Sequence, residues 1–241
     1  MQTELSYFDD SYQFTETATI TSATESFITL DRTIFYPQGG GQPSDQGFIA
    51  LGDAKRVDIT QVKWVEGEVH HFTNEPCSIP VGTTVTLQID AEKRLLHARL
   101  HTAGHLIAHA VETLYPGMKA VKGHHYPENG YVEFVGGEVS VERINVELKR
   151  LINDDHPVSA CIVTQERFME IFAGAAYSGK PPIRLVRIAG FAYQPCGGTH
   201  VKSLRELSSL FCTKKKVKDG TLKLSYTFTA GNLANNGLGV R

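Results

Sequence analysis

A chain of 241 residues, 41% hydrophobic and 21% charged, can bury a real core, which excludes disorder and suits one large domain or two modest ones. A formal net charge of -2 excludes a whole-molecule field that would pull the protein onto nucleic acid, so any such contact must come from local patches. No apolar run approaches the roughly 20 residues of a membrane helix, which excludes a helical span.

In residues 1–90, short alternating or β-branched stretches at 18–21, 27–30, 47–51, 57–65, 69–73 and 85–89 are separated by Gly, Pro, Asn and Asp. This spacing predicts a small β-barrel or sandwich. Between two of these stretches, segment 36–47 packs four glycines and two prolines into twelve residues. It reads either as a plain connection or as a place where Gly39, Gly40 and Gly41 let backbone approach a ligand with no Cβ in the way.

At Asp90 the pattern turns helical. Asp90 can cap a helix that runs to about Tyr115, where Pro116 and Gly117 stop it, with Leu96, Leu100, Ala103, Ile107, Ala110, Val111 and Leu114 on one stripe. A strand at 131–135 follows, then a helix at 141–153 capped by Ser140, with Ile144, Leu148, Leu151 and Ile152 facing inward. A strand at 158–164, a short helix at 166–172 and strand residues across 183–193 come next. A hairpin closes the order, its arms 211–218 and 221–229 joined by an Asp219-Gly220 turn, and 232–241 reads as frayed. Helices mixed with antiparallel strands, without regular βαβ alternation, make residues 91–241 an α+β domain behind the barrel.

The first helix carries His97, His101, His105 and His109, each four residues from the last. At 100° per residue, His101 and His105 lie about 160° from the centre of the apolar stripe, so they face something other than that stripe's core. Residues four apart on a helix can converge on one ion. Far downstream, Cys196 and His200 stand four apart with Gly197 and Gly198 between them, letting the backbone fold tightly. One Cys and three His form a set that zinc accepts. The first histidine is followed by Thr102 and not by the Glu of a metalloprotease HExxH, so no general base is supplied there. Four protein ligands also fill a tetrahedron, which keeps a purely structural zinc open as a reading. The other cysteines, Cys77, Cys161 and Cys212, are too irregularly spaced for a disulfide framework. Met1 to Asp10 lacks the basic start and apolar stretch of a secretory leader, so a cytoplasmic location is expected.

The two motifs, His101-Thr102-Ala103-Gly104-His105 and Cys196-Gly197-Gly198-Thr199-His200, resemble the editing domain of alanyl-tRNA synthetase and its freestanding relatives. The loop from Tyr36 to Asp45 resembles the N-terminal barrel of the longer freestanding type, and the likeness runs from about residue 33 to 201. The resemblance implies a trans-acting deacylase that hydrolyses alanine tRNA mischarged with serine, and also with glycine. One Zn2+ per chain would be held by His101, His105, Cys196 and His200. It further implies that Gly39, Gly40, Gly41 and Gln42 wall the substrate pocket. Where the synthetases show a glutamine shortly before a glycine, this chain reads Val121-Lys122-Gly123-His124-His125, leaving Lys122 and His124 as candidates to contact the amino acid. The implied partner is the acceptor end of mischarged tRNA, and 241 residues leave no room for an aminoacylation core.

An aminoacyl ester is already activated toward water, so holding it and orienting one water can supply much of the acceleration. For RNA phosphates the local charge offers two places, Lys214, Lys215, Lys216 and Lys218 before the last turn, or Arg143, Lys149 and Arg150 on the second helix. Two other readings stand beside the first: threonyl-type editing, against which the glycine loop argues, and a non-enzymatic RNA-binding module with structural zinc.

Overall fold

The computed structural model describes residues 3–52, 55–77, 79–179 and 182–229; the expected frayed segment 232–241 lies outside them. The chain divides into two compact units, Met1–Ala98 and Arg99–Arg241.

In the first unit a short strand β1 (Glu4–Leu5) precedes β2 (Thr15–Ala23), β3 (Phe27–Leu30), β4 (Arg32–Thr33), β5 (Gly47–Leu51), β6 (Lys55–Val65), β7 (Glu68–Thr73) and β8 (Thr84–Ile89). Strands β2-β3-β7-β6-β5-β8 close into a barrel through antiparallel pairs, and β1 runs parallel to β4 outside it. The period of two explains the inside: in β8, Val85, Leu87 and Ile89 are buried while Thr84, Thr86 and Gln88 face out. Ile20, Ile28, Leu30, Ile49, Ile59, Val62 and Val69 fill the same core, and closure leaves the six strands no free edge.

A histidine sits in that apolar interior. His71 is fully buried, donates from Nδ1 to the Ile28 carbonyl at 3.1 Å and accepts at Nε2 from the Thr33 hydroxyl at 2.8 Å. Burial holds its pKa down to about 4, against an ordinary 6.5. Between those values the unfolded chain binds more protons than the folded one. Unfolding free energy should therefore climb as pH rises from about 4 to about 6.5 and level off above. Denaturant titrations at each pH would test this, and a profile flat across the window would contradict a neutral His71.

The glycine-rich segment is a built loop. Gly40 and Gly41 both have positive φ, 53° and 78°, and form the two-residue turn closed by the Gln42 N–H on the Gly39 carbonyl at 2.8 Å. Tyr36 donates its hydroxyl to the same carbonyl at 2.9 Å. The loop's far end is anchored by Asp45, which accepts from the Tyr36 N–H and pairs with Arg94, both charged side chains being essentially inaccessible. Arg94 also donates to the carbonyls of Ser11 and Ile34. A guanidinium with so many partners is satisfied, but removal of its carboxylate would strand a buried charge. Asp45→Ala should cost about 3 to 5 kcal/mol in denaturant unfolding, and a loss below ~1 kcal/mol would show that the pair is not the anchor.

Helix α1 (Ala91–Leu114) begins in the first unit and continues in the second. Asp90 caps it as expected, its carboxylate accepting from the Lys93 N–H at 3.0 Å. Then follow β9 (Lys119–His124), β10 (Tyr131–Val135), α2 (Val141–Asn153), β11 (Val158–Val163), α3 (Gln165–Ile171), β12 (Ile183–Ile188), β13 (Gln194–Pro195), β14 (Leu210–Lys218) and β15 (Thr221–Phe228). They form two antiparallel sheets, β14-β15-β10-β9 and β11-β12-β13. The strand expected across 183–193 stops at Ile188, where Phe191 N–H returns to the Ile188 carbonyl and Gly190 takes a φ of 88°.

In the four-stranded sheet, Leu222, Leu224, Tyr226 and Phe228 alternate into the core with Val132 and Phe134. Two single-residue bulges adjust the outer strands, Val121 in β9 and Thr213 in β14. Strand β9, which the hydrophobic pattern alone does not mark, contains one of them. The bulge breaks the two-residue alternation by which it would have been read.

Candidate metal centre

The middle of α1 is buried on all sides. From His97 to Val111 only His105 retains partial exposure, so the face opposite the apolar stripe is covered as well. That face carries a cluster of histidines that meets Cys196. His101 and His105 lie on neighbouring turns with ring centroids 5.2 Å apart. His200 comes in from the segment after β13, 4.7 Å from His101 and 4.8 Å from His105 by centroid. Cys196 Sγ stands 3.4 Å from His101 Nε2 and 3.2 Å from His200 Nε2, and the four donor atoms all lie within 4.8 Å of one another. Donors at ~2.0 to 2.3 Å from a tetrahedral ion stand roughly 3.3 to 3.7 Å apart, so the sulfur–nitrogen separations already suit a shared metal. The two distant motifs thus converge in a group that could hold a metal ion.

Strand β12 fixes the downstream half. The Arg184 carbonyl accepts from the Cys196 N–H at 3.0 Å, and the Arg184 guanidinium donates to the carbonyls of Cys196 and Gly198 at 3.1 and 2.8 Å. The side chain therefore ties together the two carbonyls on either side of Gly197. Helix α1 fixes the other end: Thr102 Oγ1 accepts from the Val201 N–H at 3.2 Å and lies 3.0 Å from His200 Nδ1. With Nε2 turned toward the sulfur, the remaining proton of a neutral His200 sits on Nδ1 and is donated to that hydroxyl, which sets the ring's orientation.

The surroundings keep the imidazoles neutral. Burial, followed by repulsion from its histidine neighbours, drives His101 well below 6.5, and burial does the same for His200. His105 is lowered to about 4, first by burial and then by His109, with Gln194 hydrogen-bonded to it in partial opposition. Burial raises the Cys196 thiol, against the Gly198 N–H pointing at Sγ from 3.3 Å and the nearby Arg184 charge. Three unprotonated nitrogens beside a thiol that needs a cation to become thiolate are the chemistry of a metal-binding set.

One residue at the centre escapes sequence reading. His125 is buried and stacks on His101 with centroids 4.5 Å apart at 22°. The Tyr226 hydroxyl donates to the Leu100 carbonyl at 2.9 Å, so it can only accept from His125 Nδ1, 2.7 Å away. This fixes the tautomer and leaves Nε2 as the acceptor, while burial lowers the pKa to about 3. The ring lies in a slot between two glycines: a Cβ at Gly104 would come within 2.1 Å of its Cε1 and one at Gly123 within 2.4 Å of its Nε2. A glycine inside a helix costs roughly 1 kcal/mol against alanine, so Gly104 was the signal that something large packs there.

Of the candidate substrate residues, Gly39, Gly40, Gly41 and Gln42 form the turn described in the first unit. Lys122 and His124 lie on β9, paired with Glu133 and Tyr131. His124 stacks on Tyr126 and Tyr131 and bonds Asn129 at 2.9 Å; it is the next residue, His125, that stacks on His101 of the cluster. Of the remaining helix histidines, His109 stacks on Phe191.

Residues 4–93 match the family model for class II (A) tRNA synthetases, and residues 183–221 match the threonyl and alanyl tRNA synthetase second additional domain. The chain is 31% identical over 234 residues to the alanyl-tRNA editing protein AlaX-M of Saccharolobus solfataricus, covering 93% of this chain and 98% of that one. It is 30% identical over 239 residues to AlaX-M of Methanosarcina barkeri, with the same coverage. The alanine–tRNA ligase of Sulfurisphaera tokodaii is 26% identical over 237 residues, but the chain spans only 25% of its length. A six-stranded barrel, a His/Cys cluster and both synthetase-derived models together define an aminoacyl-tRNA editing protein. The chain belongs to the family of freestanding alanyl-tRNA editing proteins.

Gly104→Ala discriminates packing from helix propensity. Propensity alone would stabilise α1 by up to ~1 kcal/mol, whereas the clash with His125 should destabilise by about 1 to 3 kcal/mol and loosen metal binding. Thermal unfolding and a chelator competition would measure both, and a stabilised variant with unaltered affinity would refute the slot.

Proposed function

We propose that the chain is a trans-acting deacylase that frees serine, and also glycine, from wrongly charged alanine tRNA, with one zinc ion held by His101, His105, Cys196 and His200. The observation that carries this reading is the convergence of those donors within 4.8 Å of one another, in a chain that covers 98% of a relative named for alanyl-tRNA editing. Three neutral imidazoles and one thiol suit a borderline-soft ion without geometric preferences of its own. When bound, zinc would supply a fixed positive charge and Lewis acidity beside the ester.

The chain's own groups do the rest. Arg184 and Thr102 hold the ligand loop and one ligand ring in register, and burial of the cluster limits the water that reaches it. Because the ester is already reactive, holding its carbonyl and one water in line accounts for most of the acceleration required. Serine differs from alanine by one hydroxyl, and a polar group paired with that hydroxyl would be left unsatisfied by alanine, so the correct product escapes. By resemblance we assign substrate contact to Gly39, Gly40, Gly41 and Gln42, with Lys122 and His124 as the candidates to contact the amino acid.

The decisive variant is Cys196→Ala, assayed for zinc content and for serine release from mischarged alanine tRNA. Both should fall together, by about 100-fold or more, while the barrel stays folded. Full activity without metal would reject the zinc-dependent reading. A zinc-loaded protein that leaves serine, glycine and threonine esters intact would favour a binding module, and preferential release of threonine would favour threonyl-type editing.

A further inference from the structure

The core side of the sheet β14-β15-β10-β9 is apolar, and its other side is a field of lysines. Pairing partners share a face, so the register reads directly across it. Lys214 stands opposite Ser225, which pairs with Tyr131 and through it with His124. One step along, Lys216, Lys223, Glu133 and Lys122 form a continuous row, and beyond it lie Lys218, opposite Thr221, and Lys119, opposite Val135. The lysines outnumber the acids bordering this face, Glu128, Glu133 and Asp219, although the whole chain carries a formal charge of -2. The face is also concave. A groove of about 690 Å³ runs along it, lined by Lys214, Lys216, Lys218 and Lys223 together with Asn129 and Ser225.

The side chains are placed for a polyanion. On one face of a strand, alternate residues stand roughly 6.5 Å apart, so Lys214, Lys216 and Lys218 form a regular line of cations. Lys223 is held by the Tyr131 ring, its Nζ 3.3 Å from the centroid. The intervening Lys215 is otherwise engaged, donating to the Val139 carbonyl at 2.8 Å and facing Glu138 at 3.6 Å. In the competing basic patch on α2, Arg150 is paired with Glu147 and Asp154, and Arg143 lies over the Tyr115 ring.

We propose that this lysine face binds the sugar-phosphate backbone of the tRNA substrate, an assignment that rests on the deacylase reading above. Ammonium groups meet phosphates as point charges, so the lysines supply affinity and orientation and not sequence discrimination. Its β9 edge leads to the chemistry, because His124 lies on the lysine side and His125, one residue on, stacks on the ligand His101.

The test uses uncharged alanine tRNA, which has no ester, so hydrolysis does not enter. Binding is measured by fluorescence anisotropy across a salt series. Lys214→Gln/Lys216→Gln/Lys218→Gln should bind about 10- to 100-fold more weakly near 0.1 M salt, with a salt slope shallower by about 2 to 3. Arg143→Gln/Lys149→Gln should retain wild-type affinity and slope. Lys223→Gln alone should reduce the slope by roughly 0.7 to 0.9, which keeps the test decisive should the triple variant misfold. The proposal is overturned if wild-type protein does not bind the tRNA, if the lysine variants keep the wild-type slope, or if the α2 variant weakens binding as much. Tight binding through this face by a protein that releases no amino acid would instead overturn the deacylase and leave the surface assignment standing.

Discussion

Four donor groups can lie within 4.8 Å of one another only while none of the imidazoles carries a second proton and something holds the rings and the sulfur in place. Much of the second unit serves that requirement. Helix α1 supplies two rings at fixed spacing, the segment after β13 supplies the sulfur and the third ring, and Arg184 converts a flexible glycine-hinged loop into a rigid one by holding two of its carbonyls. The helix is consequently buried all round, and an amphipathic reading describes only half of its surroundings.

The strands and helices with clean periodicity were legible from residues alone: β3, β5, β10 and α2 have the limits that alternation and the Ser140 cap imply. So was the meeting of His101, His105, Cys196 and His200 in one cluster that could hold a metal ion, because their spacing encodes a geometry that a helix and a tight loop can realise. What stayed hidden depends on contacts between distant parts of the chain. His125 looks like one of two adjacent histidines on a strand. Only the Tyr226 hydroxyl and the empty space at Gly104 and Gly123 select it over His124. The barrel loop shows a similar mixture, since three glycines announce a special backbone but say nothing of the buried Asp45–Arg94 pair that anchors it. Two of those glycines are accounted for by the turn itself, with positive φ at Gly40 and Gly41.

The four-stranded sheet separates two kinds of electrostatics. Toward α1 it presents Tyr226, and His125 is lodged beside it, in a setting where an unpaired polar group is costly and a proton that charges the imidazole more so. On the outside it presents ammonium groups in contact with water, individually weak and collectively able to attract a charged polymer. A protein with no net positive charge can thus carry a basic surface, because the sheet sorts lysines by parity and not by composition.

That sorting depends on the spare residues in β9 and β14. They act by being bulged: were Thr213 paired in turn with Ser225, Lys214 and Lys216 would face the side of Leu224 and Leu222, and were Val121 paired with Phe134, Lys119 would turn to that side. Each bulge is therefore a point at which the strand can shorten by one residue without exchanging its faces. Divergence among such proteins should tolerate a lost codon there far more readily than in the paired stretches beside it, where one missing codon would put a wet surface where a dry one belongs.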